Sequence, residues 1–289
     1  MAVEPIASAS EAATPTWAPW LLMCEPRYYG IEYEINVWMS RARSANRRLA
    51  LQQWRALHTH LTEDVGARVD LIEPIPGLPD MCFTANAGLV YRGAVVVSNF
   101  RHPERQGEAE QFRRWFERAG FAVLSLPNEV AFEGEGDALI VGDEVFAGYR
   151  FRSDIHAHRM VGELLGMRVI SLELVDPRFY HLDTCFCPLR PGMAIYYPHA
   201  FDGYGQRLLA DRFPDAIRVS EEDAVRFGCN AIVLGDTVVL NAGCDRLNAD
   251  LRDRGYRVIA TPLGEFLKAG GAAKCLVLYL SRGEAEADQ

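Results

Sequence analysis

The sequence has little of what binds polyanions: 30 Lys and Arg stand against 39 Asp and Glu, a formal charge of −9. Nucleic acids and anionic membrane surfaces select basic patches, so neither is expected as the main partner. A small cationic molecule suits this balance better. Long apolar runs are also missing. The longest, such as Ala94–Val97 and Cys275–Leu280, have the length of strands, against the ~20 residues a membrane helix requires. Residues 1–16, rich in Ala, Ser, Glu, Pro and Thr, lack the basic start and apolar run of a signal peptide. They read as a loose tail, with 283–289 as another and 17–282 as one folded domain. The seven cysteines (24, 82, 185, 187, 229, 244 and 275) form an odd set without a secretory leader. Free thiols in a cytoplasmic protein are expected, not a disulfide framework.

Metal and nucleotide signatures are absent too. His58/His60, His156/His158 and Cys185/Cys187 are close pairs, but no second pair stands at zinc-site spacing, so no metal is expected. Gly134-Glu-Gly-Asp137 lacks both the strand–GxGxxG–helix context of a dinucleotide fold and the Lys-Ser/Thr of a phosphate loop. No cofactor is implied.

What remains is an ordinary globular composition, about half apolar and a quarter charged over 289 residues, arranged in a repeat. Three segments, Ala87–Asn99, Asp137–Tyr149 and Asn230–Ala242, each place two short β-rich runs around a Gly/Asp/Arg turn, the pattern of a hairpin. The last two share Gly-Asp at 142–143 and 235–236. Helical periodicity follows in Ala45–Leu61, Gln106–Ala119, His156–Leu165, Tyr204–Phe213 and Cys244–Arg254. Each of these helices is followed by a single strand, as at Gly120–Leu126, Met167–Leu172 and Gly255–Thr261. The unit is strand, strand, helix, strand. About five fit the length, with weaker ones near Met23–Trp38 and Met193–Tyr197, which suggests an α/β ring with loops of every unit around one axis.

Three loop motifs carry chemical residues: Phe-Glu133-Gly-Glu135-Gly-Asp137, His181-Leu-Asp183, and Gly270-Gly-Ala-Ala-Lys-Cys275. A cysteine beginning a strand behind two glycines is placed as a nucleophile on a loop rim. Alone, Cys275 before Leu-Val-Leu-Tyr-Leu reads as strand core; the combination argues otherwise. A thiol needs a base or a cation to become reactive, and His181 is the candidate. Asp183 shares its face in an extended chain, and Glu133 is placed to orient the imidazole or to bind substrate.

With "MCEPRYYGIEYEINVWM", "PDMCFTANAGLV", "FRHPERQGE", "FEGEGD", "HLDTCF" and "GGAAKC" in order, the chain resembles the guanidine-modifying superfamily. That group includes arginine deiminase, dimethylarginine dimethylaminohydrolase and the amidinotransferases. The resemblance implies a five-fold pseudosymmetric β/α propeller (pentein) of ββαβ units. It implies Cys275 as nucleophile, His181 as general acid/base, Glu133 as catalytic carboxylate and Asp183 as the grip on the guanidinium. The acidic motif is one residue longer than the family's, which leaves Glu135 as an alternative to Glu133. Arg105 and Arg152 match positions that bind the substrate carboxylate, with Arg101 and Arg150 as neighbouring candidates. Asn36 resembles a residue that closes over the amino-acid end.

Where the deiminases carry Phe-Thr-Arg-Asp, this chain has Phe83-Thr-Ala-Asn86. That departure is similar to the arginine dihydrolase branch, which takes arginine to ornithine, carbon dioxide and ammonia. A carboxylate offers no donor to the neutral ureido oxygen of citrulline, whereas Asn86 has both donor and acceptor. The expectation is therefore a hydrolase of arginine acting through a thiouronium on Cys275. The alternatives are a deiminase, a methylarginine hydrolase, an amidinotransferase and a non-catalytic binding propeller. A homo-oligomer is compatible with all of them.

Overall fold

The computed structural model describes residues 18–283; the expected tail at 1–16, and 284–289 of the second tail, lie outside the described residues. The chain opens with β1 (Trp20–Cys24), α1 (Arg47–Thr59) and β2 (Arg68–Ile72). A full unit follows: β3 (Gly88–Tyr91), β4 (Ala94–Val97), α2 (Pro103–Arg118) and β5 (Ala122–Leu124). The next is β6 (Ala138–Val141), β7 (Glu144–Tyr149), α3 (Ile155–Leu165) and β8 (Arg168–Glu173). Then come β9 (Phe186–Arg190), β10 (Met193–Tyr196), α4 (Gly203–Arg212) and β11 (Ile217–Arg218). A short α5 (Glu221–Ala224) leads into β12 (Ile232–Leu234), β13 (Thr237–Asn241), α6 (Asp245–Asp253) and β14 (Arg257–Thr261). Helix α7 (Gly264–Leu267) and β15 (Leu278–Ser281) finish the fold.

Each unit makes its own three-stranded sheet, the first two strands antiparallel and the third returning parallel to the second. Local chemistry fixes the hairpins. Val141 pairs with Glu144 and Leu234 with Thr237, directly across the two Gly-Asp turns. Gly142 and Gly235 have φ of 60° and 57°, as a II′ turn requires of its first residue. The fifth sheet, β15-β1-β2, is composite: β1 pairs antiparallel with β15 and parallel with β2. The five sheets form the five-bladed β/α propeller that the family resemblance implied, in keeping with the ring read from the repeat. The weak unit expected near Met23–Trp38 is not a hairpin, because residues 25–46 hold no strand or helix. A ring must join its first blade to its last, and here the missing strand arrives as β15. The other weak unit, at Met193–Tyr197, is β10, and its partner β9 begins at the last residue of the HLDTCF motif.

Helix α2 shows how the fold reaches the axis. It starts with Pro103 at its first turn, where the missing N–H costs nothing. Its buried residues, Arg105, Glu108, Phe112 and Phe116, recur at three and four and form one stripe. The stripe is apolar over the sheet and polar at the end that reaches Asn86. The helix begins three residues earlier than expected, which brings Arg105 inside it.

Before the first strand of every blade the chain makes one tight turn. Its backbone bond recurs five times: Asn86 N–H to Phe83 O (3.1 Å), Gly136 to Glu133 (3.2 Å), Thr184 to His181 (3.2 Å), Asn230 to Phe227 (3.0 Å) and Leu276 to Ala273 (3.2 Å). Aligned on that bond, FTANAG, EGEGDA, HLDTCF, FGCNAI and AKCLVL occupy equivalent places around the ring.

Candidate active site

The register of these turns decides which side chains meet. Glu133 and His181 hold the first place of their turns; Asp183 and Cys275 hold the third; Asn86 and Asn230 hold the fourth. All six are at most 2% exposed.

His181 Nε2 lies 2.8 Å from Glu133 Oε2, and Arg152 Nη1 donates to the same oxygen at 3.0 Å. Burial alone would raise the Glu133 pKa, but the Arg152 guanidinium and the bond from His181 outweigh it and hold the carboxyl well below its usual range. An ionised Glu133 makes Nε2 the donor, so His181 keeps Nδ1 for chemistry. Gly136 makes room for this arrangement: a Cβ there would run into Asn86 Nδ2 and come within 3.1 Å of His181 Nδ1.

Cys275 Sγ sits 3.3 Å from Asp183 Oδ2 and accepts from Asn230 Nδ2 at 3.1 Å. Asn230 also buttresses the loop, its Oδ1 accepting from Ala272 N at 3.0 Å and Cys275 N at 3.2 Å. No hydrogen bond joins His181 to Cys275 among the described residues; the thiol's partners are Asp183 and Asn230. Burial, and then the Asp183 carboxyl, push the thiol pKa well up, opposed by the Ala272 N–H and the Asn230 amide. Burial likewise lifts Asp183 to about 7, although Lys274 and the bonds from Cys275 and Asn230 pull it down. Two acids side by side in a dry site favour their protonated forms until a cation arrives.

Glu135, the other carboxylate left open by sequence, faces away from His181. It accepts from Lys274 Nζ at 2.8 Å and from Tyr279 N at 3.2 Å. Asn86 Oδ1 accepts from Arg105 Nη1 at 2.8 Å. Arg105 in turn is gripped by Glu108, Nε to Oε1 at 2.9 Å and Nη2 to Oε2 at 2.8 Å, with Nη2 also reaching Asp80 O at 3.3 Å. Four of its five N–H groups are thus engaged, leaving one for a ligand. Arg152 is freer: it donates to Glu133 and to Ile35 O at 3.1 Å and stacks 4.5 Å over Tyr180. Of the neighbouring candidates, Arg150 pairs with Glu173 at 2.9 Å on the surface. Arg101 is half-exposed and turns its Nε to Arg152 O at 2.9 Å. Asn36 caps the loop that follows it, accepting from Trp38 N at 2.9 Å and donating to Ala269 O at 3.0 Å. It lies beside Gly270, which has a φ of 82° and where a Cβ would meet Tyr180 at 2.9 Å, Trp38 at 3.0 Å and Asn36 at 3.1 Å.

Sequence reasoning missed Asp80, Asn230 and Tyr180. Asn230 was hidden in a segment read as the start of a hairpin, yet FGCNAI aligns with FTANAG within the repeat, which was the available signal. Asp80 is 2% exposed, with Oδ2 receiving Tyr33 Oη at 3.0 Å and Oδ1 unpartnered. Asp183 Oδ1 is unpartnered too. These are the only carboxylate oxygens among the described residues that are buried without a hydrogen bond. Such atoms are costly unless something donates to them.

Among the described residues no three His, Cys, Asp or Glu side chains cluster in a way that could hold a metal ion. His158, from one of the close pairs, bonds Ser171 Oγ at 2.7 Å and Gly148 O at 3.3 Å. All seven cysteines are buried and unpaired. No helix among the described residues is long and apolar enough to cross a membrane.

Five blades converging on a buried cysteine, a histidine and paired carboxylates define a guanidine-modifying propeller. Within that class the chain belongs to the dimethylarginine dimethylaminohydrolase family, whose eukaryotic N,N dimethylarginine dimethylhydrolase model matches residues 31–282. It is 44% identical to the N(G),N(G)-dimethylarginine dimethylaminohydrolase of Mycobacterium tuberculosis, over 89% of this chain and 84% of that one. It is 49% identical to the bifunctional arginine dihydrolase/ornithine cyclodeaminase ArgZ of Synechocystis, over 90% of this chain. The match spans only 37% of that longer relative. The crystal structure of the ArgZ N-terminal domain bound to product superposes with a TM-score of 0.89 at 47% identity, covering 91% of this chain and 98% of that one.

Arg152 holds Glu133 and is also the expected grip on a substrate carboxylate, and one variant tests both roles. Arg152→Ala should raise KM for arginine by about tenfold or more, the weight of a charge-assisted contact. It should also lower kcat, because Glu133 loses the cation that keeps it ionised. Steady-state rates with arginine and with a guanidine lacking the α-carboxylate check this: both should fall, arginine further. An unchanged kcat would separate Arg152 from Glu133.

Proposed function

We propose that the chain is an arginine dihydrolase that converts arginine and two waters to ornithine, carbon dioxide and two ammonia molecules. The observation that carries the reading is the Asn86 amide. Arg105 can only donate, so the atom facing it is the amide oxygen, and the NH2 group turns to the side of Gly136 and His181. A donor there suits a neutral ureido oxygen, and likeness to the ArgZ N-terminal domain supports the same conclusion.

Arginine would enter with its guanidinium against Asp183 Oδ1, its ammonium against Asp80 Oδ1, and its carboxylate on Arg152 and the remaining Arg105 N–H. The incoming cation lowers the pKa of Asp183 and of the Cys275 thiol together, so the nucleophile forms with substrate in place. The thiol proton leaves along its contact with Asp183 Oδ2. Sulfur bonds to the guanidinium carbon, a C–N bond breaks, and His181, entering the step as an imidazolium with its Nε2–H held by Glu133, gives its Nδ1 proton to the departing ammonia. His181 then takes a proton from water, which displaces the sulfur and leaves citrulline. A second round on the ureido carbon, with Asn86 donating to its oxygen, releases the second ammonia and a carbamate that decomposes to ornithine and carbon dioxide. Free buried thiols fit a cytoplasmic setting for this chemistry. A homo-oligomer is compatible with it, since every proposed site residue lies on one chain.

The test is to incubate the protein with arginine and quantify citrulline, ornithine and ammonia together. Asn86→Asp should keep arginine consumption but cut the ornithine-to-citrulline ratio by about tenfold, because the ureido oxygen then faces an anion. An unchanged ratio removes Asn86 from the second step, and a parent that stops at citrulline ends the dihydrolase reading. The family match favours one second reading, hydrolysis of methylated arginine. Release of dimethylamine from dimethylarginine, at a kcat/KM above that for arginine, would establish it instead.

A further inference from the structure

Glu108 lies behind the site and reaches it only through Arg105. It is fully buried, three residues along α2 from Arg105. Its two oxygens take Arg105 Nε and Nη2 in a parallel pair, at 2.9 and 2.8 Å. That pairing fixes the plane of the guanidinium. With the plane fixed, one edge faces Asp80 O and the remaining nitrogen, Nη1, points at Asn86 Oδ1. The Phe100 ring, 4.6 Å from the guanidinium carbon, closes its flat face.

An asparagine amide has two faces of opposite hydrogen-bonding sense, and a half-turn about its last torsion exchanges them. At Asn86 the Nδ2 group finds only a weak partner, Glu133 O at 3.5 Å. The donor from Arg105 is therefore the main force selecting one face. Turned over, Asn86 would set its oxygen beside His181 and offer an acceptor to an oxygen atom, a mismatch that costs binding.

We propose that Glu108 is a positioning residue for the second hydrolysis: by holding Arg105 against Asn86 Oδ1 it keeps the amide donor turned to the ureido oxygen. The proposal rests on the dihydrolase reading above and names how the chain commits citrulline to further reaction. The first hydrolysis does not depend on it to the same degree, since a guanidinium is gripped through Asp183.

Glu108→Gln keeps the size of the side chain but replaces one accepting oxygen with a donor that repels Arg105. The expected result is a fall of about tenfold in the ornithine-to-citrulline ratio and in kcat/KM with citrulline supplied directly, the weight of one charged hydrogen bond. Arginine consumption should stay within about threefold of the parent. Glu108→Asp, which keeps the buried charge for Arg105, provides a second variant should the first fold poorly; its ratio should fall between the two. A loosened fold would lower both hydrolyses alike. Equal loss on arginine and citrulline, or an unchanged ratio in both variants while the parent makes ornithine, overturns the proposal alone. A parent that makes no ornithine overturns the dihydrolase reading and, with no second step to steer, this proposal too.

Discussion

Cys275→Ser is expected to lower arginine turnover by roughly a thousandfold or more while leaving the thermal midpoint within a few degrees. The hydroxyl is smaller than the thiol but has the same hydrogen-bonding sense. It donates to Asp183 Oδ2 and accepts from Asn230 Nδ2, as Sγ does. The buttress around residues 272–275 should therefore survive. What is lost is acidity. Burial and then the Asp183 carboxyl push even the thiol pKa up here, and a hydroxyl starts far less acidic than a thiol. Steady-state rates and a thermal melt on the same preparations check both halves. Residual activity within tenfold of the parent would take Cys275 out of the mechanism, and a collapsed melt would make it structural.

Asp183→Asn should abolish useful turnover and make the unliganded protein more stable. The folded state raises the Asp183 pKa to about 7, chiefly by burial, from ~3.9 in an unfolded chain. A carboxyl raised in this way favours the fold only while protonated. As pH climbs from about 4 to about 7, the unfolded state sheds its proton first and stability falls, reaching its full deficit above 7. The deficit is on the order of 4 kcal/mol, about three pKa units at ~1.4 kcal/mol each. An amide carries no such charge, so the stability gain of the variant should be small near pH 4.5 and largest near pH 8. Thermal melts at the two pH values measure it. A gain independent of pH would assign it to packing, and a loss would mean that the carboxylate is needed by the fold itself.

The blades were legible where the chain's own neighbours decide structure. Gly142-Asp143 and Gly235-Asp236 announce hairpins because a two-residue turn needs positive φ, and the helices announce themselves by apolar spacing. The motifs around Glu133, His181 and Cys275 could be picked out because glycines and ionisable residues crowd together there. What could not be read is convergence. Whether Glu133 or Glu135 meets His181 depends on which place each takes in a turn, and on a turn contributed by a different blade. Arg105 was expected to clamp a carboxylate, and its engagement with Glu108 and Asn86 becomes visible only once α2 starts at Pro103. Strand β1 has no antiparallel partner in its own neighbourhood, so its blade showed in the sequence only as a weak unit near Met23–Trp38.

That composite blade has a consequence for how the enzyme comes into being. A chain emerging from the ribosome completes the turns bearing Asn86, Glu133, His181 and Asn230 while β1 still waits with one edge open. The segment that supplies its missing neighbour also carries the sulfur. Circle and nucleophile are finished by the same stretch of about seven residues, Cys275 to Ser281. A chain interrupted before that point would hold every acid and base of the proposed site and no nucleophile, so the stretch that closes the ring is also the one that supplies the sulfur.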